Sequence, residues 1–218
     1  AGSHSNLGNI LYDLGKLKEA EISTRKAVQI DPSFEDAKYN LSLILLKSNN
    51  FIEGLIKYDS RWKKRGKKKP FITSKPEWSL NRTGTVLLWA EQGIGDEILY
   101  ASLIPEFIKL IDNLIVKVDK RLIPLFKRSF DKRIKYIQND QKLDEEKYDS
   151  QISMGSLIKY LRTDKESFKK GQKKYLKVNE TKTKIFRDKL IENSKCKRIV
   201  GISWKSNSIK NKSISLEK

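Results

Sequence analysis

Histidine and cysteine are almost missing from this chain: His4 and Cys196 are the single examples of each in 218 residues. The opening Ala1-Gly2-Ser3-His4 reads as the remnant of an expression tag, which leaves the remaining sequence without histidine. A His-based triad and a His-ligated zinc are thereby excluded. One cysteine cannot close an internal disulfide, which fits a reducing, cytoplasmic setting. Cys196 lies between Lys195 and Lys197, and such cations lower a thiol pKa. Without a histidine to act as base, however, it is a poor nucleophile. No clustered carboxylates mark a metal site, and no cofactor is expected. No apolar run approaches the length of a bilayer span, and no signal-peptide pattern opens the chain.

Lysine is what the chain has in excess. The formal net charge is +19, carried by 36 Lys against 10 Arg and scattered through predicted helices and loops alike. One dense cluster stands out, Arg61 to Lys69 (RWKKRGKKK). No aromatic-interleaved RNA motif or helix-turn-helix pattern accompanies it, so nucleic acid is not the expected partner. The cluster reads as a solvated helix end and linker, where cations suit the negative end of the helix dipole.

Residues 5–66 carry a repeat with a period of 34. In the first unit Leu7, Gly8, Leu11, Gly15, Ala20, Ala27 and Pro32 punctuate two helices. Leu7, Leu11 and Leu14 share one helical face, and Gly15 permits the turn. Ala20 and Ala27 are small where the second helix must approach the first. Pro32 stops that second helix. Adding the period gives Leu41, Ser42, Leu45, Asn49 and Gly54, with Asn49 replacing the turn glycine. The Asn49-Asn50 pair suits a left-handed turn. This pattern resembles the tetratricopeptide repeat family. Further repeats are expected upstream, because two units rarely stand alone.

Residues 67–84 read as a lysine- and proline-bearing linker with Trp78 as an anchor, and residues 85–218 read as a Rossmann-like α/β domain. Thr85–Ala90 (TVLLWA) predicts a buried parallel strand. A helix over 96–111 follows, with Pro105 kinking or ending it. Strands are expected at 113–118, 135–137, 148–152 and 198–204, with helices at 122–130, 156–161 and 181–193 and a polar stretch up to Lys174. Such alternation predicts a doubly wound parallel sheet. The last βα unit is expected to be cut off at the end of the sequence.

The segment Glu91–Ile98 (EQGIGDEI) falls where the first strand hands over to the first helix, the edge at which open α/β sheets bind ligands. Gly93 and Gly95 allow a tight turn and leave backbone N–H groups uncovered. A carboxylate at Asp96 disfavours phosphate there and suits a general base accepting a hydroxyl proton. The plainer alternative is that Asp96 only caps the helix. Met154-Gly155-Ser156 forms a third loop at the same sheet edge.

The order of these segments resembles repeat-fused bacterial glycosyltransferases of GT-B type, related to the heptosyltransferases and more distantly to O-GlcNAc transferases. Tyr58–Trp62 (YDSRW) is similar to the close of that group's last repeat, Trp78 to its pre-strand tryptophan, and Gly201–Ser208 (GISWKSNS) to the strand and loop that end its first half. The resemblance implies an α + α/β architecture, the N-terminal half of a GT-B fold, with a nucleotide-sugar donor in the complete enzyme. It implies Asp96 as catalytic base on the acceptor hydroxyl, and Glu91, Gln92, Gly93 and Gly95 shaping the acceptor loop. It places Lys205, Ser206 and Lys212 near the donor diphosphate. The second, donor-binding domain is absent from these 218 residues, so the fragment is expected to be inactive by itself. The expected partners are a protein or peptide in the repeat groove and a sugar or protein acceptor. The alternative reading is a non-catalytic protein-interaction module.

Overall fold

A computed structural model describes residues 1–64, 70–170 and 174–194. The strand expected at 198–204, Cys196, and the proposed donor-side Lys205, Ser206 and Lys212 lie outside the described residues, as does 65–69 of the basic cluster. Ala1–Lys177 forms one compact unit. The helix α10 (Glu180–Ser194) belongs to a second, and its start is marked by Asn179, whose side chain accepts the Lys182 N–H at 3.0 Å.

Four helices open the first unit: α1 (Gly2–Asp13), α2 (Leu17–Ile30), α3 (Glu35–Lys47) and α4 (Phe51–Tyr58). They pair as two hairpins. The 34-residue period is visible in the backbone: Gly15 and Asn49 turn each hairpin with φ of +77° and 63°. Asn49 is the only described non-glycine residue with positive φ, as its place in the repeat predicts. Small residues set the helix approach. A Cβ at Gly8 would overlap Thr24 Oγ1, and Ala20 and Ala27 are fully buried. The expected apolar stripe of α1 is largely outward, with Leu7 and Leu14 47% and 66% exposed. The face of α1 that packs is the one bearing Ser5 and Gly8, because close backbone approach demands small side chains there. In the second hairpin Leu41 and Leu45 are buried as the repeat predicts.

The sheet is parallel throughout, with strand order β3-β2-β1-β4. Its members are β1 (Thr85–Trp89), β2 (Asn113–Val118), β3 (Lys135–Gln138) and β4 (Ser150–Ser153). Thr85 pairs with Asn113 and Val86 with Ser150, so β1 is flanked on both sides. The connecting helices are α5 (Ile94–Ala101), α6 (Ile104–Phe107), α7 (Ile123–Ser129), α8 (Met154–Leu161) and α9 (Lys165–Lys170). The single helix expected over 96–111 begins earlier and breaks between Ala101 and Ile104, with Pro105 in the first turn of the second piece, where it forfeits no hydrogen bond. The polar stretch before Lys174 contains α9, which the sequence pattern did not disclose.

The two sheet faces are covered differently. Val86, Leu88, Leu114, Val116 and Ile152 pack with Ala101, Phe107, Phe126 and Leu157 from the helices. Leu87, Ile115 and Tyr148 on the opposite face are covered by Phe71, Ile137 and Leu143. The β3–β4 connection holds only a 3-10 turn, Glu145–Lys147, so the doubly wound pattern with a helix in each crossover is interrupted here.

Residues 76–78 are part of the sheet system. Trp78 N–H donates to the Gln151 carbonyl and Gln151 N–H to that of Pro76, extending the sheet beyond β4. Trp78 is fully buried, edge-on to Phe107 and Tyr160 at 4.8 and 5.1 Å. Its indole N–H reaches the Arg82 carbonyl at 2.8 Å.

Candidate functional site at the sheet edge

From β1 the chain steps to β2 and β3 on one side, then returns to β4 on the other. The crevice beyond the carboxyl ends of β1 and β4 is therefore a topological switch point, the usual ligand position in such sheets. Here the crevice is filled from within by Arg61. This residue sits in a 3-10 turn, Asp59–Trp62, that ends the helical repeats.

Arg61 has a side chain only 8% exposed. Its Nη2 donates to Glu91 Oε2 at 2.7 Å, Ser153 Oγ at 3.1 Å and Ser156 Oγ at 2.8 Å. Nη1 donates to Asp59 Oδ1 at 2.8 Å and the Tyr58 carbonyl at 3.2 Å. The guanidinium also lies over the rings of Trp62 and Tyr58, at 4.4 and 4.5 Å. Burial opposes its charge, but the Glu91 and Asp59 carboxylates outweigh that and hold its pKa above the ordinary arginine value. The solvated helix end expected at Arg61 is thus corrected: the planar fork of an arginine can satisfy carboxylate and hydroxyls together, so it is buried where a lysine would not fit. The one signal in the sequence was an arginine set between two aromatic residues at the head of a lysine run.

A second ion pair supports the same junction. Lys159 on α8 bridges Asp59 at 2.7 Å and Glu77 at 2.8 Å. Burial pushes the Asp59 carboxyl up, yet Lys159 and the Ser156 hydroxyl more than offset it and leave it below the usual aspartate range.

The residues of the Glu91–Ile98 segment divide in this setting. Glu91 has a side chain 1% exposed and held by Arg61. Gln92 Nε2 donates to Tyr58 Oη at 3.2 Å and Glu91 Oε1 at 3.3 Å. Gly93 is the N-cap residue of α5, with no side-chain cap. Gly95 has open space where a Cβ would point. Asp96 is in the first helical turn, past the cap position, so the capping alternative does not describe it. Among the described residues its carboxylate makes no hydrogen bond, and its Oδ2 lies 3.9 Å from where a Cβ on Gly93 would stand. Tyr100 is one turn on. Burial, then the Tyr58 hydroxyl and the Glu91 and Asp96 carboxylates, push its phenol well above the ordinary range, which keeps it a proton donor.

Glu97 is a residue that sequence reasoning missed. It is 3% exposed and faces the sheet edge, accepting the Asp119 N–H at 2.9 Å and Asn139 Nδ2 at 3.5 Å. Burial raises its carboxyl above the ordinary glutamate range. It ties together the loops that follow β2 and β3. Met154-Gly155-Ser156 opens α8, capped by the Ser153 side chain accepting the Ser156 N–H at 3.2 Å.

Two cavities adjoin this junction. One of about 370 Å³ is lined by Tyr39, Tyr58, Arg61, Trp62, Lys64, Glu91, Gln92 and Gly93. It lies between the second hairpin and the β1–α5 loop. The other, about 230 Å³, is lined by Trp62, Phe71, Trp89, Ala90, Glu91, Gln92, Lys117 and Asn139. Among the described residues no group of three or more His, Cys, Asp or Glu side chains could hold a metal ion, and no helix is long and apolar enough to cross a membrane.

Two comparisons with known proteins bear on the chain. The chain is 30% identical over 129 residues to protein FlbA of Caulobacter vibrioides, an alignment covering 55% of this chain and 22% of that protein. The chain thus spans about a fifth of the length of the relative it matches. Residues 1–34 match the tetratricopeptide repeat family, the first hairpin with its Gly8, Gly15, Ala20 and Ala27. A tetratricopeptide repeat, of the kind that serves as a protein-interaction module, therefore opens this chain.

Proposed function

We propose that the chain is the acceptor-side part of a glycosyltransferase, in which the repeats hold a polypeptide and the β1–α5 edge receives its hydroxyl group. The observation that carries this reading is the Asp96 carboxylate. Among the described residues it makes no hydrogen bond; it is half-buried, and its Oδ2 lies close to Gly93, which lines the 370 Å³ cavity that Asp96 itself does not line. The rings of Tyr39, Tyr58 and Trp62 give that cavity apolar faces suited to a side chain or a sugar. In the transfer step the acceptor oxygen attacks the anomeric carbon, its proton passes to Asp96, and the bond to the nucleotide diphosphate breaks. Lys205, Ser206 and Lys212 remain the proposed donor-side groups.

The test uses an array of 15-residue peptides, each hydroxyl-bearing sequence paired with its Ser/Thr→Ala version. The wild-type chain should prefer the hydroxyl-bearing member. Asp96→Asn should reduce that preference about tenfold, the worth of one hydrogen bond to a charged group, with the circular dichroism spectrum unchanged. If Asp96→Asn leaves the discrimination intact, the acceptor reading fails and peptide capture by the repeats without chemistry stands in its place. The tetratricopeptide match to residues 1–34 favours that second reading.

A further inference from the structure

The smaller cavity has a feature that the proposed transfer step does not use, a buried lysine with no carboxylate partner. Lys117 is on β2 and 8% exposed, at a position where a strand covered on both faces ordinarily carries an apolar residue. Its Nζ donates to the Gln141 carbonyl and stands 5.6 Å from the centre of the Phe71 ring. Among the described residues it makes no ion pair, and Asp140 is the nearest acid acting on it. An ammonium has three donors, so two remain for a ligand. A buried cation without a counter-charge is unfavourable, and an anion entering the cavity relieves that cost.

The other walls are the aromatic rings of Trp62, Phe71 and Trp89, with Ala90 and the Glu91 carboxylate, whose charge Arg61 already pairs. Trp62 and Trp89 pack at 5.3 Å and Phe71 and Trp89 at 5.9 Å, both tilted, and all three rings line the space. Trp89 is fixed by its indole N–H on Gln151 Oε1 at 2.6 Å. Asn139 and Gln92 add amide groups at the rim. The space of about 230 Å³ suits a single six-membered ring with one substituent.

We propose that this cavity binds a monosaccharide-sized ring carrying one carboxylate or phosphate, with Lys117 on the anionic group and the indole faces on the ring. Aromatic faces stack on the C–H face of a saturated ring, and the ammonium selects the acid over its neutral counterpart. The site is separate from Asp96, which does not line it.

The test is a tryptophan-fluorescence titration of the full chain with three probes: D-glucuronate, D-glucose 6-phosphate and D-glucose. One or both acidic sugars should quench saturably, and glucose should bind at least about tenfold more weakly. Comparing the two acids tells carboxylate from phosphate. Lys117→Met should bring the acidic sugars to the level of glucose, with the fold checked by circular dichroism. Affinity for glucose equal to that for both acidic sugars in the wild type overturns the proposal and needs no variant. So does an absence of quenching by both acids, or an acid preference that survives in a folded Lys117→Met. None of these outcomes touches the acceptor reading, which is tested at Asp96.

Discussion

Replacing Gly155 by alanine tests the buried arginine lock directly. In an ordinary helix this change gains about 0.5–1 kcal/mol. Here the added methyl would overlap Glu91 Oε1, with Glu91 Cδ at 2.9 Å and Arg61 Nη2 at 3.4 Å. The carboxylate has no room to retreat: its side chain is 1% exposed and its other oxygen is 2.7 Å from Arg61 Nη2. Arg61 is in turn held by Ser153, Ser156 and Asp59. Either α8 shifts, at an overpacking cost of about 1–3 kcal/mol, or the buried pair separates, at about 3–5 kcal/mol. The net expectation is a loss of about 0.5–2 kcal/mol, since the structure takes the cheaper route and recovers some helix propensity. Urea unfolding followed by circular dichroism reads this as a lower midpoint at unchanged slope. Gly95→Ala is the matched control, because its Cβ meets nothing within 4 Å, and it should be neutral or stabilising by up to about 1 kcal/mol. In a Glu91→Ala background the cost of Gly155→Ala should largely vanish. Equal behaviour of Gly155→Ala and Gly95→Ala in the wild type would refute the reasoning.

Three other outcomes are expected. Asn49→Ala forces an alanine to a φ of 63° and should destabilise by about 1–2 kcal/mol, while Asn49→Gly should be within about 0.5 kcal/mol of wild type, both read by urea unfolding. Trp78→Ala removes a fully buried indole with two edge-on aromatic partners and should cost about 3–5 kcal/mol by the same measurement; a neutral change would refute its role as an anchor. Asp59 and Glu97 should give opposite pH slopes. The Asp59 carboxyl is held low when folded, so its contribution is present above the ordinary aspartate pKa of about 3.9 and fades as pH falls below it. Asp59→Asn should therefore be less stable than wild type at neutral pH and approach it in acid. The Glu97 carboxyl is held high, so wild type loses stability relative to Glu97→Gln as pH rises from about 4.3 through the raised value. Chemical denaturation across that range separates the two, and parallel curves would contradict both assignments.

Local chemistry determined a good part of this protein from sequence alone. A 34-residue period, with Gly15 and Asn49 at its turns and Ala20 and Ala27 at its helix contact, specifies two helical hairpins because turn conformation and close approach depend on residue type at single positions. Runs such as Thr85–Trp89 and Asn113–Val118 could only be buried parallel strands, since their apolar residues do not alternate. The loop between β1 and α5 was recognisable as a strand-to-helix turn by its glycines and its place after a strand. The tertiary structure decided what that edge contains. Arg61, Glu91, Ser153 and Ser156 are separated by up to 95 positions yet meet in one buried cluster, and no local pattern encodes which cation meets which anion. Lys117 similarly looks like one more lysine in a lysine-rich chain. Only the packing of Phe71, Trp89 and Trp62 around it, from segments distant in sequence, buries it beside a cavity with no ion-pair partner among the described residues.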